Sequence, residues 1–161
     1  MDLSFKSQQA SLTLREALAE HRSHIPGLVP VPDDPVDELD ELFAGHDTIH
    51  CLFGLGTTTA EEVRVDAYSV LASTLSLPRY LVYVSHPVVA SVIWQTTTLA
   101  TLPHILVSVL RIPVIWWRSR QFKQWDFDGW REHLDRPLVD IRAEYGIRVD
   151  GPVHVSDGPR R

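Results

Sequence analysis

The chain reads as an all-α protein, a single-domain bundle of about six to seven helices. Three observations predict it. Apolar residues recur at helical spacing: Val36, Leu39, Leu42, Phe43, Ile49 and Phe53 fall on one arc at about 100° per residue, and Val63, Ala67, Val70, Leu71 and Leu75 form a second stripe. Helix-start signatures precede such runs, with Thr13 three residues before Glu16 and Thr59 three before Glu62. The 161 residues, 44% apolar and 22% charged, suit one globular domain with its own core.

Taken in order, residues 1–35 are a helix and a linker. The Thr13–Glu16 capping box opens a helix to about Ser23, and Pro26 and Gly27 end it. His21 and His24 on this helix are expected at the surface. The Pro-rich stretch LVPVPDDP follows, with Pro35 suited to start the next helix. Residues 36–147 form the helical core. Its first helix spans Val36–Phe53, Gly54 and Gly56 interrupt it, and a second helix begins near Ala60.

Residues 80–110 hold no Asp, Glu, Lys or Arg. The run is long enough to cross a membrane. Pro87, Pro103 and the polar Gln95-Thr96-Thr97-Thr98 argue for a buried helix pair instead, or for helices lining a lipid tunnel. His86 and His104 flank the run. In the next stretch, Trp116, Trp117, Trp125 and Trp130 alternate with Arg118, Arg120 and Lys123. This pattern suits peripheral contact with a membrane through Trp116, Trp117 and Trp125, or a core whose cations snorkel outward. Asp128 reads as an N-cap. Asp135 is expected to cap a closing helix with Pro137 in its first turn, running to about Tyr145 and ending at Gly146. Residues 148–161 read as a flexible tail.

Composition narrows the function. A net charge of −6 argues against nucleic-acid partners. The single cysteine, Cys51, leaves no intrachain disulfide and suits a reducing compartment; it reads as a small core residue. The N-terminus has no apolar segment of the signal-peptide kind. A cytoplasmic protein is expected, peripheral on the inner face of a membrane if the tryptophans dock.

The chemistry is concentrated in His46-Asp47-Thr48-Ile49-His50 and in Glu62. His46 and His50 lie one turn apart on the apolar arc, and Asp47 lies at its edge. Buried imidazoles and carboxylates need each other or a cation. Two readings of Glu62 stand side by side: a swing back toward the histidines, or a bond to the Thr59 amide in a capping box. Asp66 shares a helix face with Glu62 and can orient a ligand histidine.

HDTIH, then eleven residues, then Glu62 matches HDxxHx(11)E. The segment HDTIHCLFGLGTTTAEE and the closing stretch LDRPLVDIRAEYGI resemble the coenzyme Q (ubiquinone) biosynthesis protein family, fourth member of its series. These stretches run through the last two thirds of the chain. The longer N-terminal region of that family has no counterpart here. The resemblance implies an all-helical fold and a divalent metal, zinc first, with magnesium, manganese or iron as alternatives. The ion would sit at His46, Asp47, His50 and Glu62. It further implies a cavity for a polyprenyl-type lipid and a role in quinone biosynthesis, with removal of a ring carboxyl group and hydroxylation at the same carbon. Glu62 and Asp47 are then the candidate catalytic groups, with Glu62 or Asp66 accepting a proton.

The expected function is metal-dependent processing of an aromatic or prenylated precursor. The alternative is a non-catalytic lipid-binding or scaffolding subunit, in a homo-oligomer or a biosynthetic complex. A third reading is an HD-type metal phosphohydrolase, which needs an upstream His, from His21 or His24, and a later Asp, from Asp66.

Overall fold

Local signals place most of the helix starts. In this computed structural model, which describes residues 3–24 and 37–150, Thr13 opens α1 (Leu14–Ser23) through the expected capping box with Glu16. A 3₁₀ turn at Ser4–Lys6 precedes it. α2 (Glu38–Phe53) begins two residues later than expected, because the Asp37 carboxylate caps it by accepting from the Asp40 amide at 2.9 Å. Gly54 ends α2 in the left-handed region, at φ 67°, where a side chain would be strained. α3 (Thr59–Leu71) follows. The linker at 25–36 and the expected start at Pro35 lie outside the described residues.

The uncharged run is cut into short helices at its prolines. α4 (Leu77–Ser85), α5 (Pro87–Thr96), α6 (Leu102–Leu110) and α7 (Ile112–Ser119) each carry a proline at or next to their first residue, where the missing N–H is not needed. Tyr80 to Ser85 is helical as expected, despite its β-branched residues. The described residues are 66% helical with no strands among them, an all-α single-domain bundle.

The closing helix, α8 (Leu138–Tyr145), departs from expectation at its start. Pro137 is its N-cap, and Asp135 instead receives a hydrogen bond from Arg15 at 3.1 Å. Backbone bonds explain the change. Leu14 and Arg15 donate to Arg136 and Leu134, and Leu138 donates to Leu12, so 134–138 is held as a turn against the start of α1. Gly146 ends α8 as expected. Asp128, likewise expected to cap with its side chain, is drawn into a 2.7 Å bridge to Arg79.

The core lies around α2 and α3. α1 and α3 pack on α2, while α6 and α7 pack on α3. Leu14, Leu18, Ile49, Leu52, Phe53, Leu55, Val65 and Tyr68 are buried there, joined by Leu138 and Ile141 of α8. Trp125 and Trp130 belong to this core too, 1% and 0% exposed, so the expected membrane contact of Trp125 is corrected. Trp125 sits 4.9 Å from the Tyr145 ring and 4.8 Å from His133, ring centre to ring centre. Gly45 is required by a close approach, since a β-carbon there would overlap the Phe127 ring.

Arg142 is the least expected core residue. Fully buried on α8, it donates to the carbonyls of Cys51 and Leu52 at the end of α2, and to those of Phe5 and Ser7. It thus meets carbonyls that a helix end leaves open. Burial lowers its pKa to about 10, so it stays charged at neutral pH. Cys51 is buried beside it, as expected, and burial raises its thiol pKa.

Two further expectations change. Residues 80–110 are not a buried helix pair: Leu81, Val82, Trp94, Leu106 and Leu110 are all exposed. These helices are short and each is covered on one side only, so the absence of charge does not translate into burial. No helix of the described residues is long and apolar enough to cross a membrane. At the other end, 148–150 is anchored. The Asp150 amide donates to Phe53 at 2.8 Å, and its carboxylate meets Arg64 and Arg118. The rest of the expected tail, 151–161, lies outside the described residues.

Candidate metal centre

The site forms where α2 faces the first turns of α3. The freeing of Glu62 is the first structural result. Thr58 caps α3 rather than Thr59, and Glu61 is its capping-box partner, bonding the Thr58 amide and hydroxyl. Lys6 holds Glu61 from the other side at 2.9 Å. A one-residue shift of the cap thus leaves Glu62 without a capping task and turns it toward α2.

There Glu62 Oε2 lies 3.4 Å from His50 Nε2 and 3.8 Å from His46 Nε2. Ligand atoms of His46, His50 and Glu62 all lie within 4.8 Å of one another. Tetrahedral ligands on zinc, at bond lengths of about 2.0–2.1 Å, stand about 3.3 Å apart. The Glu62 carboxylate therefore stands within about half an ångström of that spacing from each histidine, and the widest separation in the trio, up to 4.8 Å, would close by about 1.5 Å on one ion. Two imidazoles and a carboxylate suit zinc or iron(II) better than calcium or magnesium. His50 Nδ1 lies 3.3 Å from the Leu55 carbonyl, a bond that assigns the proton to Nδ1 and leaves Nε2 free for an ion. Glu62 is 37% exposed and His50 2%, so the site is dry on the α2 side and open to solvent on the α3 side.

Asp66, one turn on, brings Oδ1 to 3.6 Å from His46 Nε2. Burial alone would lower the His46 pKa, but the Asp66 hydrogen bond and the charges of Glu62, Asp66 and Asp47 overcome it and raise it to about 9. Burial would raise the Glu62 carboxyl, yet the bond and charge of His50, with the charge of His46, hold it below its usual range. Without an ion, then, a proton on His46 balances the carboxylates. Burial and the Asp66 carboxylate push the phenol of Tyr80 up as well.

Asp47 turns away from this group. Its Oδ2 accepts from Arg22 Nε at 2.9 Å, and its Oδ1 lies 3.8 Å from His21 Nε2. The four-residue set read from the motif becomes a three-residue set in the structure. Asp47 is instead a link between α1 and α2.

His21, expected at the surface, is 1% exposed. Its ring stacks on His50 at 4.5 Å between centroids, with Phe5 edge-on behind it. Neither ring nitrogen has a hydrogen-bond partner among the described residues. Burial first, then the neighbouring His50, His46 and Arg22, lower its pKa to about 2, so it is neutral. A signal for it was present: Leu14, Ala17, Leu18 and His21 follow the i, i+3, i+4, i+7 spacing of the buried face. His24 is exposed as expected, and its ring bonds the Glu20 carbonyl. His86 and His104 are not in the three-ligand group.

Beside His46 runs an apolar seam formed by Leu42, Leu75, Tyr80, Tyr83 and Phe127, with no room for a water molecule. The lipid tunnel expected from the resemblance does not open there. No protein-family model matches this chain, no curated protein matches it, and no solved structure matches it.

Proposed function

We propose that this chain is a metal-dependent enzyme acting on an aromatic or prenylated precursor of quinone type, by decarboxylation with hydroxylation, as its HDxxHx(11)E segment suggests. The observation that carries the reading is the convergence of His46, His50 and Glu62, with Glu62 released from the helix cap. These residues would hold one divalent ion, zinc first, and the ion would supply a Lewis acid to a substrate carboxyl or hydroxyl. Around it, His50 is held in one tautomer by Leu55. Asp66 and Glu62 stand at the open edge, where either can take a proton. Asp47 anchors α1 against the site through Arg22.

A second reading, a lipid-binding or scaffolding subunit without turnover, is favoured by the exposed apolar side chains of α4–α7. One experiment separates the two. The purified protein is analysed for bound metal and assayed for carbon dioxide release from a prenylated hydroxybenzoate, alongside His50→Ala. Loss of both metal and turnover in the variant supports the enzyme. Unchanged turnover in metal-free His50→Ala overturns it, and bound lipid without turnover favours the scaffold. The phosphohydrolase reading is set aside if phosphate esters with added manganese are not hydrolysed.

A further inference from the structure

Among the described residues, all the exposed large apolar side chains fall between Leu77 and Trp117. Val82 is 68% exposed, Trp94 81% and Leu99 87%. The same part of the chain is free of carboxylates. Residues 67–125 hold none of the chain's 21 Asp and Glu but five of its 15 Lys and Arg, a charge of +5 in a chain of net −6. Three of those cations are already matched: Arg79 by Asp128, Arg118 by Asp150 and Lys123 by Glu144. Arg111 and Arg120 have no ion pair among the described residues. Arg120 lies over the Trp116 ring at 4.9 Å.

We infer that α4–α7 form a docking surface for an anionic lipid bilayer. Apolar residues such as Val82, Trp94 and Leu106 enter the boundary of the acyl region, and Arg111 and Arg120 meet the headgroups. The helices are too short to cross, so they lie in the interface plane. Tryptophan beside arginine at the edge of an apolar patch is the composition that this layer favours. Charge also decides against a second copy as the occupant. A symmetric pair would bring the face against itself, with Arg111 and Arg120 near their own copies and no carboxylate from 67–125 to answer them. Phosphate headgroups supply that missing negative charge. α6 packs on the first turn of α3 through its buried side, where Ser108 donates to the Ala60 carbonyl, so the outward, docked side of α6 lies across that helix from the turn that carries Glu62.

The inference does not rest on the metal reading, and one experiment tests it alone. The full chain is spun down with vesicles of phosphatidylcholine, with and without phosphatidylglycerol, and its mass in solution is measured. Binding is expected on the anionic vesicles, with a blue shift of tryptophan fluorescence. The double variant Arg111→Gln/Arg120→Gln should bind about thirtyfold more weakly, the worth of two headgroup charges. Trp94→Gln/Val82→Gln should weaken binding to both vesicle types. His50→Ala should bind vesicles as the parent does, which separates this result from any failure of the metal centre. Equal binding by parent and arginine variant, or no vesicle binding at all, overturns the inference. So does a dimer that the Trp94 and Val82 substitutions dissolve.

Discussion

In α1–α3 the inward side carries His21, Asp47 and His50, while in α4–α7 the outward side carries Leu81, Val82, Trp94 and Leu106. The first region buries groups that water would solvate well. The second exposes groups that water solvates badly. Each inversion has a cost in the isolated chain, and the two differ in how it is met. The polar groups are met largely from within. Arg22 answers Asp47, Leu55 answers His50, and Glu62 lies against both His46 and His50. The apolar groups have no such answer among the described residues. Internal pairing makes the first region sensitive to single substitutions, whereas the second should tolerate them.

The sharpest test of that contrast is at His50. His50→Ala is expected to weaken zinc binding more than about a hundredfold, measured by competition with a chromogenic chelator. A small loss would mean that the trio does not act as one site. Next comes Arg142→Met, which leaves four backbone carbonyls unanswered in the core. It should cost about 2–4 kcal/mol in urea unfolding. A neutral result would show that α8 is not held to α2 through that guanidinium.

Asp47→Asn should cost about 1–3 kcal/mol of stability by breaking the Arg22 pair, yet leave zinc affinity within about tenfold of the parent. Should zinc affinity collapse as in His50→Ala, Asp47 would be a ligand after all. The pH dependence is more graded. The His46 pKa stands at about 9, raised from 6.5, so an ion must displace a proton from it below that pH. Zinc affinity should rise about tenfold per pH unit toward pH 9 and then flatten. The same protonation stabilises the metal-free fold fully below pH 6.5, and that stability is lost as pH climbs through 9. Asp66→Asn should shift both profiles to lower pH, and titration calorimetry in buffers of different ionisation enthalpy would detect it. The smallest effect is expected at Trp94→Gln, within about 0.5 kcal/mol of the parent in thermal unfolding. A large destabilisation there would mean that α5 is packed rather than open.

Much of the fold could be read from the chain because the signals were local. The Thr13 capping box, the αL glycine after α2 and the proline-led helices each act within a few residues. Where a cap or boundary was misread, a distant partner had intervened. Asp135 answers Arg15, Asp128 answers Arg79, and Glu61 rather than Glu62 serves α3. His46 and His50 were legible from spacing, since two residues one turn apart share a helix face wherever the helix lies; for Glu62 the residues left cap and ligand side by side, and only the resemblance favoured the ligand. His21 was missed although its spacing marked it, because a histidine near a helix end is usually solvated.

The amino-acid order alone determined that helices form, that His46 and His50 share a face, and that one long stretch carries no acid. Those properties depend on neighbours within a turn or on composition. The tertiary structure decided that Asp47 faces Arg22, that His21 lies on His50, that Arg142 is enclosed, and that the uncharged helices stay open on one side. Each of these depends on which surfaces meet across many residues, and period and propensity hold no information on that.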